Sequence, residues 1–454
     1  MPRRWIVLSF EGLSNLALGP YGSSWNATPR FDRLAATGVT WDRVIIPNED
    51  VAETLRRFWE SPLGNRTWIE AWREQGPVEL LLPRDAESPP IEAARSGSAE
   101  ADVEGGARKV SPSSTPKLAE TALGLGFDAC TLIDLEPRQA VCQEVDATGL
   151  GQTFAALIDR IGSPEIDGVE PEDWSVLWVH SDLLTRCWDA PHWLFPIDDD
   201  DQDTEPDDPA GDYLSESGAA DRAAAERNAA DAPPPLLPGL LPPAIRLGPT
   251  DHPDWTTSWM QTYGCQVRLL DYWLGLLADL IAQDPRDIGL AVLGTSGFSL
   301  GQDGWVGHRV GPIRSPQIQV PAILHWAGVA GHADWAPLRW PALEPLERLA
   351  SWLVPVPPSV SVTSAYPSPE AWARAATPGE ASVQTISSRA SHVITTSEWF
   401  LVRQGDSPAQ LFLKPDDRDD INDIADRCPD IVAELSRSAE GTSFADPANG
   451  NGFG

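Results

Sequence analysis

The chain opens with an apolar run, Trp5-Ile6-Val7-Leu8-Ser9-Phe10, which stops at Glu11 and gives way to a glycine-punctuated loop, LGPYGSSWNATP. A short apolar run closed by turn residues predicts a buried strand. RFDRLAATG follows with helical spacing, and it is bracketed by Thr28-Pro29 as a start and Gly38 as a stop. The same alternation returns downstream. ACTLIDL predicts a strand, QTFAALIDRI a helix and WSVLWVH a fully buried strand. The clearest helix is WMQTYGCQVRLLDYWLGLLADLIAQ, residues 259–283, where apolar positions recur at three and four. IGLAVLGTS and QVPAILHWAG then predict two more buried strands, separated by a glycine-rich loop. Strands and helices alternating in this way predict an α/β fold, a large mainly parallel sheet sandwiched by helices.

Two stretches break the pattern. Residues 85–117 are rich in Ser, Pro, Glu, Ala and Gly, and residues 196–251 join an acidic run to the tract APPPLLPGLLPP. Neither carries a buried period, so both are expected to be flexible insertions. Past Pro341 the pattern changes to HVITTSEWFLVRQ and AQLFLKP, expected as antiparallel strands, and then to a terminal helix, IVAELSRSAE. The expected division is an α/β domain over 1–340 and a small α+β subdomain over 341–454 that ends in a disordered tail.

Charge narrows the partners. With 67 acidic against 33 basic residues, the net charge of -34 disfavours nucleic acid and anionic membranes, while a small-molecule ester or a protein partner stays open. The run IDDDDQDTEPDDPAGD lacks EF-hand spacing and reads as solvated chain rather than a calcium site. The five cysteines are widely spaced with no C-x-x-C pair, which signals neither a disulfide framework nor a zinc site. WIVLSF is too short for a signal-peptide core, and no apolar run reaches membrane-spanning length, so a cytoplasmic protein is expected. The 20 tryptophans suit a carbohydrate-like ligand surface or a tryptophan-heavy core, and their spacing does not decide between them.

One motif carries chemistry on its face. Gly297-Phe298-Ser299-Leu300-Gly301 matches the G-x-S-x-G pattern of serine hydrolases, with His308 or His392 as a base and Asp303 as the only acid between Ser299 and His308. The nucleophile needs a sharp strand-to-helix turn, and the following QDGWVGHRVGP has no helical period.

Several segments, in order, resemble the sulfatase family of the alkaline phosphatase superfamily. VLSFEGL, LGPYG and TPRFDRLAATGVTWDRV resemble its first strand, its Tyr-Gly loop and its first helix. RLLDYWLGLLADL resembles its long helix, QVPAILHWAG the strand beyond, and SEWFLVRQGDSPAQLFLKPDDRDDINDIADRCPDIVAEL its closing hairpin and last helix. The resemblance implies a divalent metal such as calcium, a nucleophile, and cations facing the ester oxygens.

Against that expectation the implied site is depleted. Phe10 and Glu11 stand where one or two metal-binding aspartates are implied, so Glu11 is the only candidate ligand there. In IIPNEDVAETLRRFW the nucleophile position falls near Asp50, with Ala52 at the proline and Thr54 at the arginine. This excludes a cysteine-derived formylglycine and sets Glu49 and Asp50 against an anionic ester. Asp50 as an N-cap, with Glu53 as its capping partner, accounts for the same letters, and Arg56 and Arg57 lie one turn inside. Thr295-Ser296 runs straight into Gly297, as though an Asp-His pair had been removed, which makes GFSLG the remnant of a metal loop. Trp305 and His308 sit where an anion-binding Lys or His is implied, and His180 and His192 are candidate substrate contacts. The leading expectation is a sulfatase-like protein without catalysis and without a cofactor. An ester hydrolase rebuilt around Glu11, Asp50 and His308 comes second, and a serine esterase using Ser299 third.

Overall fold

In β1 (Arg4–Phe10) successive side chains point to opposite faces, as strand geometry requires: Trp5 and Val7 enter one apolar core, and Ile6, Leu8 and Phe10 another. The sheet therefore has a core on each side. The computed structural model describes residues 4–85, 115–162, 174–195, 236–326 except 238 and 253, 338–353, 384–387 and 391–441. Its sheet adds β2 (Val39–Ile45), β3 (Val78–Asp85), β4 (Ala129–Leu135), β5 (Val176–Ser181), β6 (Ile288–Gly294), β7 (Gln319–Trp326) and β8 (Leu338–Pro345), in the order β8-β2-β7-β6-β1-β5-β3-β4. All pairings are parallel except those of β7, which runs against both β2 and β6. The mainly parallel α/β sheet expected from the alternation is the fold observed.

Helices cover both faces. α1 (Pro29–Thr37), α4 (Gly149–Gly162) and α5 (Trp255–Gln283) bury Phe31, Phe154 and Tyr263 with Ile6 and Leu8, whereas α2 (Val51–Trp59) and α3 (Thr115–Leu125) bury Phe58 and Leu118 with Trp5 and Val7. The start of α1 is capped from outside. Asp271 Oδ1 of α5 accepts hydrogen bonds from the Arg30 and Phe31 amides at 2.9 Å each, two of the orphan donors of a helix N-terminus. Gly38 ends α1 through packing: a Cβ there would lie 2.1 Å from the Leu324 carbonyl oxygen of β7.

Many of the tryptophans belong to the core, while Trp193 is exposed and Trp25 half-buried. Trp5, Trp41, Trp59, Trp68, Trp72, Trp174, Trp178 and Trp188 are all fully buried. Trp178 meets Phe58, Trp59 and Trp68 edge-to-face at ring separations of 5.2, 5.4 and 5.6 Å, the arrangement the ring quadrupoles favour.

A second, antiparallel sheet follows: β9 (Gln384–Ser387), β10 (His392–Thr395), β11 (Trp399–Arg403) and β12 (Gln410–Leu413), with α6 (Pro429–Gly441) behind it. β8 carries the main sheet past residue 340. Of the expected insertions, residues 86–114 and 196–235 lie outside the described residues, as does the expected tail, 442–454. From Leu236 the chain is described: Leu237 is buried, and Ala244–Arg246 pairs antiparallel with Trp305–Gly307, which pairs in turn with Ser299–Leu300. Among the described residues no helix is long and apolar enough to cross a membrane.

Candidate functional site

Strand register decides which loops meet. Phe10 of β1 pairs with Ser181 of β5 on one side and with Gly294 of β6 on the other. The residues just beyond these ends, Glu11, Asp182 and Thr295-Ser296, therefore emerge together at the C-terminal edge of parallel strands, where open α/β sheets place ligand crevices.

Glu11 is buried there, 5 % exposed, and its backbone amide donates to the Ser181 carbonyl at 3.0 Å. Its Oε1 lies 3.4 Å from His180 Nε2, while His180 Nδ1 lies 3.0 Å from Ser9 Oγ. Trp178 Nε1 donates to the same Ser9 oxygen at 2.8 Å. A proton on Nε2 is aimed at the Glu11 carboxylate, while Ser9 Oγ lies within reach of both His180 Nδ1 and, at 3.3 Å, the Val179 carbonyl. Burial alone would push the Glu11 carboxyl up. The His180 hydrogen bond and the nearby charges of His180, His308 and Arg309 more than offset it, bringing the pKa down to about 2.

His308 comes from the loop after β6. Its Nε2 lies 2.9 Å from Ser296 Oγ, and that oxygen also accepts from the Gly12 amide at 2.9 Å, which ties the loops after β1 and β6 together. Burial pushes the His308 pKa down to about 3, with the Arg309 charge acting the same way and Glu11 opposing. Arg309 is exposed and sits at φ 51, a left-handed conformation rare for a residue with a side chain. It also acts on Glu49, whose carboxyl burial raises and Arg309 lowers. The structure thus brings Glu11, His180 and His308 together, where the expectation had set Glu11 and His308 with Asp50, and adds Ser9, Ser296 and Arg309. Those three were missed because their meeting depends on strand register and a loop conformation that no local pattern carries.

The remaining candidates are held elsewhere. Asp50 caps α2, accepting from the Ala52 and Glu53 amides at 3.0 and 3.3 Å, and its other oxygen pairs with Lys117. No hydrogen bond or ion pair joins it to Glu11 or His308 among the described residues. The expected reciprocal partner of the cap differs: Glu53 pairs with Arg56 and Arg57, while Asn48 Oδ1 accepts from the Asp50 amide at 2.7 Å. Ser299 is buried, and its hydroxyl oxygen accepts from Gln317 Nε2 at 2.8 Å rather than facing a histidine. Asp303 pairs with Arg314, and His392 stands in β10 of the second sheet. His192 lies in the His192–Leu194 turn beside α5, where its carbonyl accepts from Cys265 Sγ at 3.8 Å.

Gly297 is packed tightly at this edge. A Cβ at 297 would stand 1.8 Å from the Pro316 carbonyl oxygen and 2.9 Å from its carbon, and the Gly297 amide donates to the Gln317 carbonyl at 2.8 Å. The backbone of residues 316–317 fills the space an acid side chain would need. Phe10 faces the core, Glu11 is engaged by His180, and among the described residues no group of three or more His, Cys, Asp or Glu is placed to hold a metal ion. Hard divalent cations want several oxygen ligands at once, so the residues present do not fit the implied metal.

No family model matches the chain, and no curated protein does. Solved structures do. A protein in complex with its substrate D-glucosamine-2-N,6-O-disulfate superposes with a TM-score of 0.60 at 14% identity, covering 99% of this chain and 100% of that one. The phosphonate monoester hydrolase of Agrobacterium radiobacter gives 0.55 at 14%, covering 97% and 95%. A 2-O GAG sulfatase gives 0.56 at 11%, covering 97% and 92%. The chain has a sulfatase-like α/β fold.

Proposed function

We propose that this protein keeps the sulfatase-like fold without sulfatase chemistry, and that it acts by binding a ligand or partner rather than by metal-dependent hydrolysis. The observation that carries this reading is the Gly297 packing: where the implied Asp-His pair is missing, Ser296 runs straight into a glycine whose Cβ would lie 1.8 Å from a backbone oxygen, so the closed-up loop leaves no room for an acid side chain at 297. The nucleophile position supports it, since Asp50 spends its oxygens on a helix cap and on Lys117. Metal analysis of the purified protein, with a panel of aryl sulfates, phosphates and phosphonates, tests it. Metal below stoichiometric amounts and no turnover are expected. Stoichiometric calcium, magnesium or zinc, or turnover abolished by EDTA, would restore a hydrolase rebuilt around Glu11 and His308.

One distance favours a second reading, serine chemistry, because Ser296 Oγ and His308 Nε2 are 2.9 Å apart. Two features oppose it. Ser296 is 1% exposed, and His308, with its pKa pushed down to about 3, is a weak general base. A fluorophosphonate probe is expected to leave the protein unlabelled; stoichiometric labelling lost in Ser296→Ala would establish the serine reading instead.

A further inference from the structure

Away from Glu11 and His308, two adjoining cavities share Arg418. The smaller, about 220 Å³, is lined by Arg43, Arg339, Lys414 and Arg418, and among the described residues its lining holds a single carboxylate, Asp42. The larger, about 500 Å³, has Trp25, Met260 and Leu300 as apolar lining and three carboxylates, of which Asp303 pairs with Arg314 and Asp420 with Lys414, leaving Asp419. Neither is lined by Glu11, His180, Ser296 or His308.

In a chain with a net charge of -34, four cations around one small cavity run against composition. Two of them are neutralised within the fold: Arg339 pairs with Asp42 at 2.6 Å and buried Lys414 with Asp420 at 2.5 Å. The other two are not. Arg43 is 6 % exposed and its guanidinium donates only to the backbone carbonyls of Ser397 and, at 3.0 Å, Thr396, with no carboxylate in ion-pair range among the described residues. Arg418 likewise has no ion pair among them and is exposed where the two cavities meet. A buried cation without a counter-charge is costly, and a guanidinium fork matches the oxygens of phosphate or sulfate.

We infer that the smaller cavity binds a tetrahedral oxyanion group, phosphate or sulfate, free or carried on a small polar molecule. Its volume falls below the range of whole-ligand pockets, so a carrier would extend past Arg418 into the larger cavity. There Trp25, fixed by its Nε1 donating to the Leu16 carbonyl at 3.1 Å, offers a ring face for a sugar-sized body.

Calorimetric titration of the full chain with inorganic phosphate, glucose 6-phosphate and glucose, at ionic strength held constant with sodium chloride, tests this. Saturable binding of at least one phosphate-bearing probe is expected, with no binding of glucose. Arg418→Gln, an exposed change expected to leave the urea midpoint unmoved, should weaken that binding tenfold or more. Trp25→Ala tells the sources apart: a loss confined to glucose 6-phosphate assigns a carried group, and unchanged binding of both assigns the free anion. No saturable binding of either phosphate, or affinity untouched by Arg418→Gln, overturns the inference.

Discussion

Placing a methyl group on Gly297 probes the packing that separates this loop from a metal site. A Cβ would stand 1.8 Å from Pro316 O, 2.9 Å from Pro316 C and 3.2 Å from Gln317 C. Ordinary contact begins near 3.4 Å, so the first of these falls short by about 1.6 Å. The obstructing atoms are backbone, and they cannot swing aside as a side chain does. They belong to the Ser315–Ile318 turn that leads into β7, itself anchored by Asp420, which accepts from the Ser315 amide at 2.6 Å and from its hydroxyl at 2.8 Å. Relief requires shifting that turn or the end of β6, with loss of the Gly297 amide bond to Gln317. Overpacking against a well-anchored backbone belongs at the upper end of the usual range, so Gly297→Ala should cost about 3 kcal/mol or more. Urea unfolding followed by tryptophan fluorescence gives the difference from the midpoints at a shared slope. Gly124→Ala in α3 is the control: nothing lies within 4 Å of a Cβ there, and replacing a helical glycine should stabilise by about 0.5–1 kcal/mol. Gly297→Ala within about 1 kcal/mol of the parent would refute the argument and reopen position 297 to an acid.

Glu11 titrates in the folded protein below its ordinary value, about 2 against 4.5, so the stability it confers is present above pH 4.5 and is lost as pH falls toward 2; Glu11→Gln should flatten the stability curve in that window. His308 is also depressed, from 6.5 to about 3, so the unfolded chain binds the extra proton first and stability falls with pH from 6.5 downward; His308→Gln should flatten the upper part, read as urea midpoints from pH 7 to 4. Trp178→Ala removes the ring at the centre of the aromatic cluster and should cost about 3–5 kcal/mol by the same assay, leaving the Ser9 hydroxyl without its indole donor. Ser299→Ala should cost only about 1 kcal/mol, because Gln317 Nε2 keeps the Val310 carbonyl at 2.6 Å; a larger loss would mean that Ser299 does more than accept that bond.

The sheet was legible because continuous apolar runs such as IGLAVLG and WSVLWVH are what strands buried on both faces require. What local pattern could not show was direction. QVPAILHW reads as one more buried strand, yet it runs antiparallel to both neighbours, since the reversal is set by where the chain enters the sheet and not by its side chains. The site was legible in part for the same reason. Glu11 follows one recognisable strand and His180 lies near the end of another, and pairing Phe10 with Ser181 sets them side by side. Ser296 and Arg309 were silent: one sits in a loop read for its glycines, and the other acquires meaning only when its φ of 51 sets it near Glu11 and Glu49. The tryptophans were ambiguous because burial depends on which face of a strand or helix meets the sheet, and only packing supplies that.

Three positions at or beside the places where the resemblance implies chemistry do structural work that a catalytic residue would disturb. Asp50 holds two amides at the start of α2; Ser296 joins Gly12 to His308 across two loops; Gly297 lets the turn before β7 lie against the end of β6. Placing an acid at 297 alone would displace the turn, and replacing Asp50 alone would uncap a helix at a cost of about 1 kcal/mol. These losses fall on separate elements with no shared partner, so they should add. A single substitution at either position therefore moves the chain no nearer to metal binding without a structural loss.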